Sequence, residues 1–472
     1  MSREIYPKYP PDLNEEQLQY LITNVKDWSI ANGLAVRPVT SWISKEQDPV
    51  GSLAVTAPVT LFPSLFPRNC FEQGLGIQTA YNELYAAIAS NETWLKQIDT
   101  TLGLFRSDYM VHLDPTQSAA KPTIKQVEFN TIASSFGGLS TQVSKLHNHL
   151  LSVDAYPEET SSTIKTSSLP PSTSVPSLAG GLAAGHQAYG KSRSGSPVCV
   201  IFLVQDPERN VFDQRHLEYT LFNEHQVRAF RVPFNKIMSY TKLDGKRTLL
   251  YTPPHAPDKT WEVSLVYFRA GYSPDDYSGK ADWDARLHIE RSAAVQQVLA
   301  TPNSPHLARF LPDKSKATEV FKTFAPIYPL DKSEAGQEAC KLAQNSETAT
   351  RYVLKPQREG GGNNVYRKAI PKFLEETPES HWPAYILMEM IEPPALTNTI
   401  FRNGEVQKGG VIGELGVYGV CLWKTKSGED GVQEMLENKQ AGYLLRTKGD
   451  QSEEGGVAAG FGSVDSVCLV DV

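Results

Sequence analysis

Cysteine is scarce in this 472-residue chain: Cys70, Cys199, Cys340, Cys421 and Cys468 are scattered, odd in number and form no CxxC pair. A zinc centre or disulfide framework is therefore not expected. The residues read as small, buried or partly buried thiols of a reducing compartment. Long apolar runs are missing too. The most apolar stretch, Val198 to Val204, has the length of a buried strand, far short of the ~20 residues that span a membrane. The opening MSREIYPKYPPDLNEEQL holds no apolar segment of the secretory kind, so a soluble, cytoplasmic protein is the expectation. Positive charge is not in excess: 46 Lys and Arg face 53 Asp and Glu, a net charge of −7. That balance argues against a broad basic face for nucleic acid, although a local basic cluster would suffice for a small phosphate ligand.

What is present suits a folded chain of two to four domains. Hydrophobic residues make up 40% and charged residues 21%, enough apolar content for a sizeable core. Residues 13–30 carry Leu13, Leu18, Leu21, Ile22 and Val25 at helical spacing, and 76–100 looks similar. The stretch LKQIDTTLGLFRSDYMVHLD then turns strand-like and leads to IKQVEFN, where Ile124, Val127 and Phe129 flank polar positions. Residues 158–178, rich in Ser, Thr and Pro, read as a flexible surface loop. Strands at SPVCVIFLVQD, QVRAFRVPF and WEVSLVYFRAGY, with a helix near Asp213 to Glu224, suggest a small α/β unit over 196–300. It separates a first part, 1–195, from a last part, 301–472. The last part has strand pieces RYVLKPQ, AYILMEMI and GGVIGELGVYGVCLW between glycine-rich loops, so its expected sheet is mainly antiparallel.

The most informative stretch is Val353 to Tyr366, VLKPQREGGGNNVY. A strand delivers Lys355. The following loop carries Arg358, Glu359, Gly360, Gly361, Gly362, Asn363 and Asn364. Glycines admit positive φ and close backbone approach, so several N–H groups can converge on phosphate oxygens. Lys355 adds a point charge, and Glu359 suits Mg²⁺. The loop lacks the GK[ST] of a Walker A sequence, and no HRD or DFG of a protein kinase stands in a sensible position. Three weaker pieces accompany it. In VEFNTIASS, Glu128 and Asn130 sit two apart and share one side of a strand, which gives oxygen donors for a hard cation. YILMEMI places Glu389 on an apolar strand that could line a base slot. LLRTKGDQSEEGGVAAG puts Arg446 and Lys448 before an acidic, glycine-rich loop that could close over a site and exclude water. Taken alone, each weaker piece also fits a core strand or a surface loop.

In this order, FRSDYM, VEFNTIASSFGGL, PERNVFDQR, VYFRAGY, LKPQREGGGNN, LMEMIEP, GELGVYGV and LLRTK with GGVAAG resemble the eukaryotic glutathione synthetases over nearly the whole chain. The resemblance implies an α+β / α/β protein: an ATP-grasp fold built from both ends of the chain, with a small α/β substrate-binding domain inserted. It implies a homodimer joining γ-glutamylcysteine to glycine with ATP and Mg²⁺ through an acyl phosphate. Carried over by position, Glu128, Asn130 and Glu359 would hold Mg²⁺. Glu128, Lys355, Glu359, Gly360, Gly361, Gly362, Asn363, Asn364, Tyr366, Met388, Glu389, Met390, Ile391, Glu414, Lys448 and Glu454 would hold the nucleotide and its metal. Arg106, Ile132, Ala133, Ser134, Ser135, Glu208, Arg209, Asn210, Gln214, Arg269, Ala270, Gly271, Tyr272, Arg446, Val457 and Ala458 would contact peptide substrate or product. Arg106, Lys355 and Arg446 are the catalytic candidates, because phosphoryl transfer needs positioning and neutralised charge rather than covalent help. The planar fork of Arg106 suits a substrate carboxylate. Lids are expected at 269–278, 357–366 and 449–460.

One departure stands out. Between IERS and VQQ the chain is shorter than the family pattern by about a short helix and a turn, and that stretch carries a phosphate-contacting lysine in the family. Lys314, Lys316 and Lys322 are candidate substitutes. Two other functions remain open beside glutathione synthesis: a ligase with another acceptor such as β-alanine, which the small Val457 and Ala458 positions do not settle, and an ATP-binding protein of weakened catalysis, to which the short stretch points.

Overall fold

The computed structural model describes residues 5–39, 43–44, 46–91, 100–114, 121–272, 276–277, 299–300, 306–356, 364–425, 431–432, 434–451 and 462–472. Helix α1 (Glu15–Ala31) starts at a reciprocal cap, in which Asn14 Oδ1 accepts from the Gln17 N–H and Gln17 Oε1 from the Asn14 N–H. Strands β1 (Ala35–Val36) and β2 (Val55–Thr56) pair with each other, and β3 (Val59–Thr60) and β4 (Ser64–Pro67) lead into α2 (Arg68–Ala89). The long β5 (Thr100–His112) and β6 (Thr123–Asn130) follow, then α3 (Gly137–Ser152) and α4 (Ser174–Tyr189). The helix expected over 76–100 thus begins eight residues earlier, at Arg68, and ends at Ala89.

The middle of the chain forms a separate sheet. Strand β7 (Val198–Val204), helix α5 (Val211–His225), β8 (Ala229–Pro233), β9 (Thr241–Leu243), β10 (Leu249–Tyr251) and β11 (Trp261–Phe268) give the order β8-β7-β11-β10-β9. Its β7 runs parallel to both β8 and β11, as the alternation of strand and helix predicts. Much of 273–298, the end of the expected inserted unit, lies outside the described residues. A four-stranded antiparallel sheet, β12-β15-β13-β14, comprises β12 (Ile327–Pro329), β13 (Tyr352–Pro356), β14 (Val365–Tyr366) and β15 (Tyr385–Glu389).

The largest sheet draws on both ends of the chain. With β16 (Thr397–Arg402), β17 (Glu405–Lys424), β18 (Glu434–Gly449) and β19 (Gly462–Asp465), its order is β16-β3-β19-β18-β17-β5-β6. The last strand, β20 (Val467–Val470), pairs with β4. Both faces of this sheet are covered. Leu415, Val417 and Ile124 lie against Gly74 of α2, whereas Val420 and Leu104 lie against Gly181 of α4. Alternation along β17 therefore sends odd positions to α2 and even positions to α3 and α4.

A bulge decides which side chains of β6 join which face. Asp108 pairs with Glu128, but the next residue, Tyr109, pairs with Gln126, leaving Val127 as an extra residue. Ile124 and Gln126 therefore turn to the α2 face and are buried there, while Glu128 and Asn130 point to the other face beside Asp108 and Arg106. The odd spacing of Ile124 relative to Val127 and Phe129 is the sequence trace of this bulge.

The segment 158–178 corrects the flexible-loop expectation. It makes 3₁₀ turns at Glu158–Thr160 and Thr166–Ser168 and then enters α4. Ile164, Leu169, Val175 and Leu178 are buried in the main core cluster. Serine, threonine and proline dominate the composition, but these four apolar residues anchor the path. Ile164→Ala should cost about 2–4 kcal/mol of unfolding free energy, read by urea denaturation; a change within about 0.5 kcal/mol, typical of a surface loop, would contradict the packing.

His147 of α3 ties the two chain ends together. It is buried, with Nε2 3.0 Å from the Thr60 carbonyl and Nδ1 2.7 Å from Ser466 Oγ. A neutral ring satisfies both partners, Nε2–H donating and Nδ1 accepting. Burial lowers its pKa to about 4, against the opposing bond to the Thr60 carbonyl. As pH falls below ~6.5 the unfolded chain takes up this proton first, so stability drops between 6.5 and 4, by about 2 kcal/mol at pH 5. Asp465 acts oppositely: burial raises its pKa to about 6 from 3.8 despite hydrogen bonds from Ser64 and Thr447, so the folded state gains as pH falls across that interval. Between pH 7.5 and 5, His147→Gln should lose ~2 kcal/mol less stability than the parent, measured by denaturant titration at both pH values.

Candidate active site

Six polar side chains gather where the strands β6, β5, β17 and β18 lie side by side. Arg106 and Asp108 come from β5, Glu128 and Asn130 from β6, Glu414 from β17 and Arg446 from β18. The pairing sets Arg106 opposite Asn130, Asp108 opposite Glu128 and Gly416, and Glu414 opposite Arg446. Arg106 grips Asp108 with Nε at 2.6 Å from Oδ1 and Nη2 at 2.7 Å from Oδ2. Arg446 Nη2 reaches Asp108 Oδ2 at 2.9 Å and also bonds Glu414 Oε1. The Asn130 amide donates to Asp108 Oδ2 at 3.0 Å and to Glu128 Oε1 at 3.1 Å. Lys355 of β13 donates to the Val127 carbonyl at 3.2 Å, which brings its charge to the same place.

Charge is balanced here against strong desolvation. Burial pushes the Asp108 pKa upward, but the Arg106 and Arg446 guanidiniums outweigh it and hold the group below the usual carboxylate range. Glu128 is raised, first by burial and then by the Asp108 and Glu414 charges, with Arg446 and Lys355 opposing. Its side chain still keeps 46% of its surface accessible from the cleft, so solvent moderates that rise. Burial lowers Lys355 against the pull of Glu128 and Glu414. Oxygens of Asp108, Glu128 and Glu414 lie within 4.8 Å of one another. An oxygen-seeking divalent cation fits Glu128 and Glu414, since it would relieve the raised Glu128.

The loop after β6 forms a second wall. Ala133 and Phe136 adopt φ of 51° and 74°, a region costly for side-chain-bearing residues. They are held there from both sides. Arg106 Nη1 at 3.1 Å and the Tyr418 hydroxyl at 2.6 Å both donate to the Ser135 carbonyl. From the middle unit, Arg269 donates to the Ser134 carbonyl and to Ser135 Oγ, each at 2.6 Å. Asp213 of α5 accepts the N–H groups of Phe136, Gly138 and Leu139 at 2.8, 2.7 and 3.2 Å, capping α3. Gly138 is required at this contact, because a Cβ there would come 2.5 Å from the Asp213 carbonyl.

Near this wall Glu208 accepts from the Asn210 N–H at 2.8 Å and from Gln214 Nε2 at 2.6 Å. Asn210 Oδ1, Gln214 Oε1 and Arg269 Nε are buried and have no hydrogen-bond partner among the described residues. Orphaned buried polar atoms are rare, and three beside one loop suit a polar ligand. Gly271 and Tyr272 continue the wall, with the Gly271 N–H on Asp276 at 2.8 Å and the Tyr272 hydroxyl on Gln205 at 3.3 Å.

Of the residues expected from sequence, Arg106, Glu128, Asn130, Glu414, Arg446 and Lys355 converge. Ser134, Ser135, Asn210, Gln214 and Arg269 line the adjoining wall, where Ile132 and Arg209 are partly buried and Ala270 is fully buried. Others are held by contacts of their own. Met388 and Ile391 are buried in the core cluster behind β15. The Glu389 and Met390 N–H groups are already bonded to the Pro326 and Arg351 carbonyls. Asn364 donates to the Tyr366 hydroxyl at 3.2 Å on the β13–β14 hairpin. Lys448 pairs with Ile412 in the sheet. Glu359, Gly360, Gly361, Gly362, Asn363, Glu454, Val457 and Ala458 lie outside the described residues, as do most of the expected lids. Lys316 is ion-paired with Glu83 and Lys322 with Glu319.

Sequence reasoning missed Asp108, Asp213 and Tyr418; each sits within a quoted motif, but one polar residue on a strand or helix gives no periodic signal. A false signal also exists: GHQAYGKS, 185–192, has P-loop spacing. It closes α4 instead of opening a helix, so its N–H groups are not the free ones of a helix N-terminus.

Several sheets, the largest with helices on both faces, and a cluster of paired carboxylates and guanidiniums define a mixed α/β protein with a charged polar site. The chain belongs to the eukaryotic glutathione synthase family, whose ATP-binding-domain model matches residues 15–101 and 97–469. It is 35% identical to the glutathione synthetase large chain of Schizosaccharomyces pombe, covering 98% of this chain and 99% of that one. It is also 35% identical to the Homo sapiens glutathione synthetase, covering 96% and 97%, and to the chloroplastic enzyme of Solanum lycopersicum, covering 98% and 86%. The S. pombe alignment runs over 523 positions, more than the 472 residues here, so it carries gaps in this chain. In fold, the chain resembles the apo form of a glutathione synthetase-like effector, GSS30, from Globodera pallida, with TM-score 0.72, 20% identity and coverage of 97% and 98%.

Asp213→Ala should cost about 3 kcal/mol, since three N–H groups and Arg269 lose a charged partner. Thermal and urea unfolding of the variant measure this; a loss below ~0.5 kcal/mol would show that the strained loop does not depend on Asp213.

Proposed function

We propose that this chain is an ATP-grasp ligase that joins γ-glutamylcysteine to glycine, giving glutathione, ADP and phosphate. The observation that carries the reading is the convergence of Arg106, Arg446 and Lys355 with Glu128 and Glu414 on one sheet face, next to orphaned polar atoms. In this reading the sheets of the two chain ends form the ATP-grasp part and the unit around β7–β11 is the inserted substrate domain. Mg²⁺ would be held by Glu128, Glu414, Glu359 and the Asn130 amide oxygen, and would supply charge neutralisation between phosphates. The protein works in the cytoplasm as a homodimer.

Each residue has a task in that chemistry. Arg269, Asn210 and Gln214 orient the γ-glutamyl end. Arg106 and the 132–135 loop place the cysteinyl carboxylate. That carboxylate attacks the γ-phosphorus of ATP and ADP leaves; Lys355 and Arg446 steady the charge that develops on the transferred group. The glycine amine then attacks the acyl carbon, phosphate departs and the amine gives up a proton. Loops 357–366 and 449–460, with Glu454, Val457 and Ala458, keep water from the acyl phosphate, and Met388 to Ile391, Asn364, Tyr366 and Lys448 border the nucleotide.

The test is ADP release by the purified protein with γ-glutamylcysteine, ATP and Mg²⁺, adding glycine, β-alanine or neither. Glycine-dependent release with glutathione as product is expected. Preference for β-alanine would reassign the acceptor. ATP binding without turnover would favour the weakened-binder reading. Glu128→Gln should lower kcat by about a hundredfold or more with its melting temperature retained, checked in the same assay; parent-like turnover would remove Glu128 from the metal site.

A further inference from the structure

Asp108 is the carboxylate of the converging trio that the proposed reaction leaves without a task. By distance it passes for a metal ligand with Glu128 and Glu414. Its hydrogen bonds say otherwise. Oδ1 accepts from Arg106 Nε at 2.6 Å, and Oδ2 accepts from Arg106 Nη2 at 2.7 Å, Arg446 Nη2 at 2.9 Å and Asn130 Nδ2 at 3.0 Å. A carboxylate oxygen offers about two lone-pair directions, so the three bonds to Oδ2 leave it none for a cation, and Oδ1 is held at 2.6 Å by Arg106 Nε, whose positive charge opposes a cation there. The side chain is fully buried, whereas Glu128 keeps 46% of its surface accessible.

We propose that Asp108 is a positioning residue that fixes the Arg106 and Arg446 guanidiniums at a set separation beside Glu128 and Glu414, and that it does not bind metal. This rests on the ligase reading. The two arginines stand on β5 and β18, on either side of β17. Without an anion between them they would repel and turn apart. Bound to one buried carboxylate, they present a preorganised pair to an anionic substrate, and their fork geometry is set before it arrives. Strand β17 keeps room for the arrangement. Gly416 is opposite Asp108, and a Cβ there would lie 2.8 Å from both Arg106 Cδ and Asp108 Oδ1.

Two variants test the idea. Asp108→Asn removes the charge; Gly416→Ala leaves every charge in place and pushes on the ion pair. Parent and variants are compared by melting temperature, by kcat and KM for γ-glutamylcysteine, by calorimetric binding of γ-glutamylcysteine, and by Mn²⁺ binding followed by electron paramagnetic resonance. Expected in both variants are a fall in kcat of about tenfold or more, a KM and Kd for the peptide raised about tenfold, and Mn²⁺ affinity within about twofold of the parent. Loss of Mn²⁺ affinity in Asp108→Asn by about tenfold would make Asp108 a ligand and overturn the proposal. So would unchanged kcat, KM and peptide Kd in folded variants. Should Asp108→Asn not fold, Gly416→Ala alone decides by the same numbers. A parent that releases no ADP would overturn the ligase reading instead; peptide binding would then still decide the positioning role.

Discussion

Everything at the cleft depends on the one extra residue in β6. A strand with unbroken alternation would send Ile124, Gln126, Glu128 and Asn130 to the same side. Either the Glu128 carboxylate and the Asn130 amide would be forced into the α2 core, or Ile124 and Gln126 would be stranded in the cleft. The bulge at Val127 removes that conflict. Ahead of it the strand packs as core; beyond it the strand is polar and faces Arg106 and Asp108. The arrangement shows in the chemistry, because Lys355 bonds the carbonyl of the bulged residue itself.

Desolvation is the second theme. Arg106 and Asp108 are almost wholly removed from water, at 4% and 0% accessibility, where an unpaired charge would cost several kcal/mol. The pair is tolerated because four donors converge on one carboxylate. The same burial makes the partly open groups Glu128 and Lys355 uncomfortable in opposite directions. Groups held away from their preferred protonation states mark functional clefts, and here they stand next to one another.

How far the sequence disclosed this varies by residue. Glu128 and Asn130 were legible as a same-side pair, and Lys355 as the end of a strand, because period-two spacing translates directly into direction. The strand-rich middle unit was legible for the same reason. Asp108 was not, since its partner Arg446 is 338 positions away and no local pattern encodes such pairing. The composition of 158–178 points to a loop, but Ile164, Leu169, Val175 and Leu178 hold it in the core although hydroxyl residues outnumber them. Met388 and Ile391 turned out to be core side chains, a distinction that a run of apolar residues cannot make by itself.

The composition of the large sheet has a consequence for how the protein comes into being. β5 and β6 leave the ribosome early, but their neighbours β17 and β18 belong to the last quarter of the chain. During synthesis the outer edge of β5 must wait, its N–H and C=O groups unpaired, for roughly 300 residues to follow, a wait of about 15–60 s at ordinary elongation rates. Contacts of such long sequence separation form slowly, and an open edge invites pairing with other chains. A nascent chain of this design therefore calls for protection by chaperones until its end is released. Until then no Arg446 is present to meet Asp108, so the buried carboxylate of a prematurely terminated copy lacks one of its two guanidinium partners.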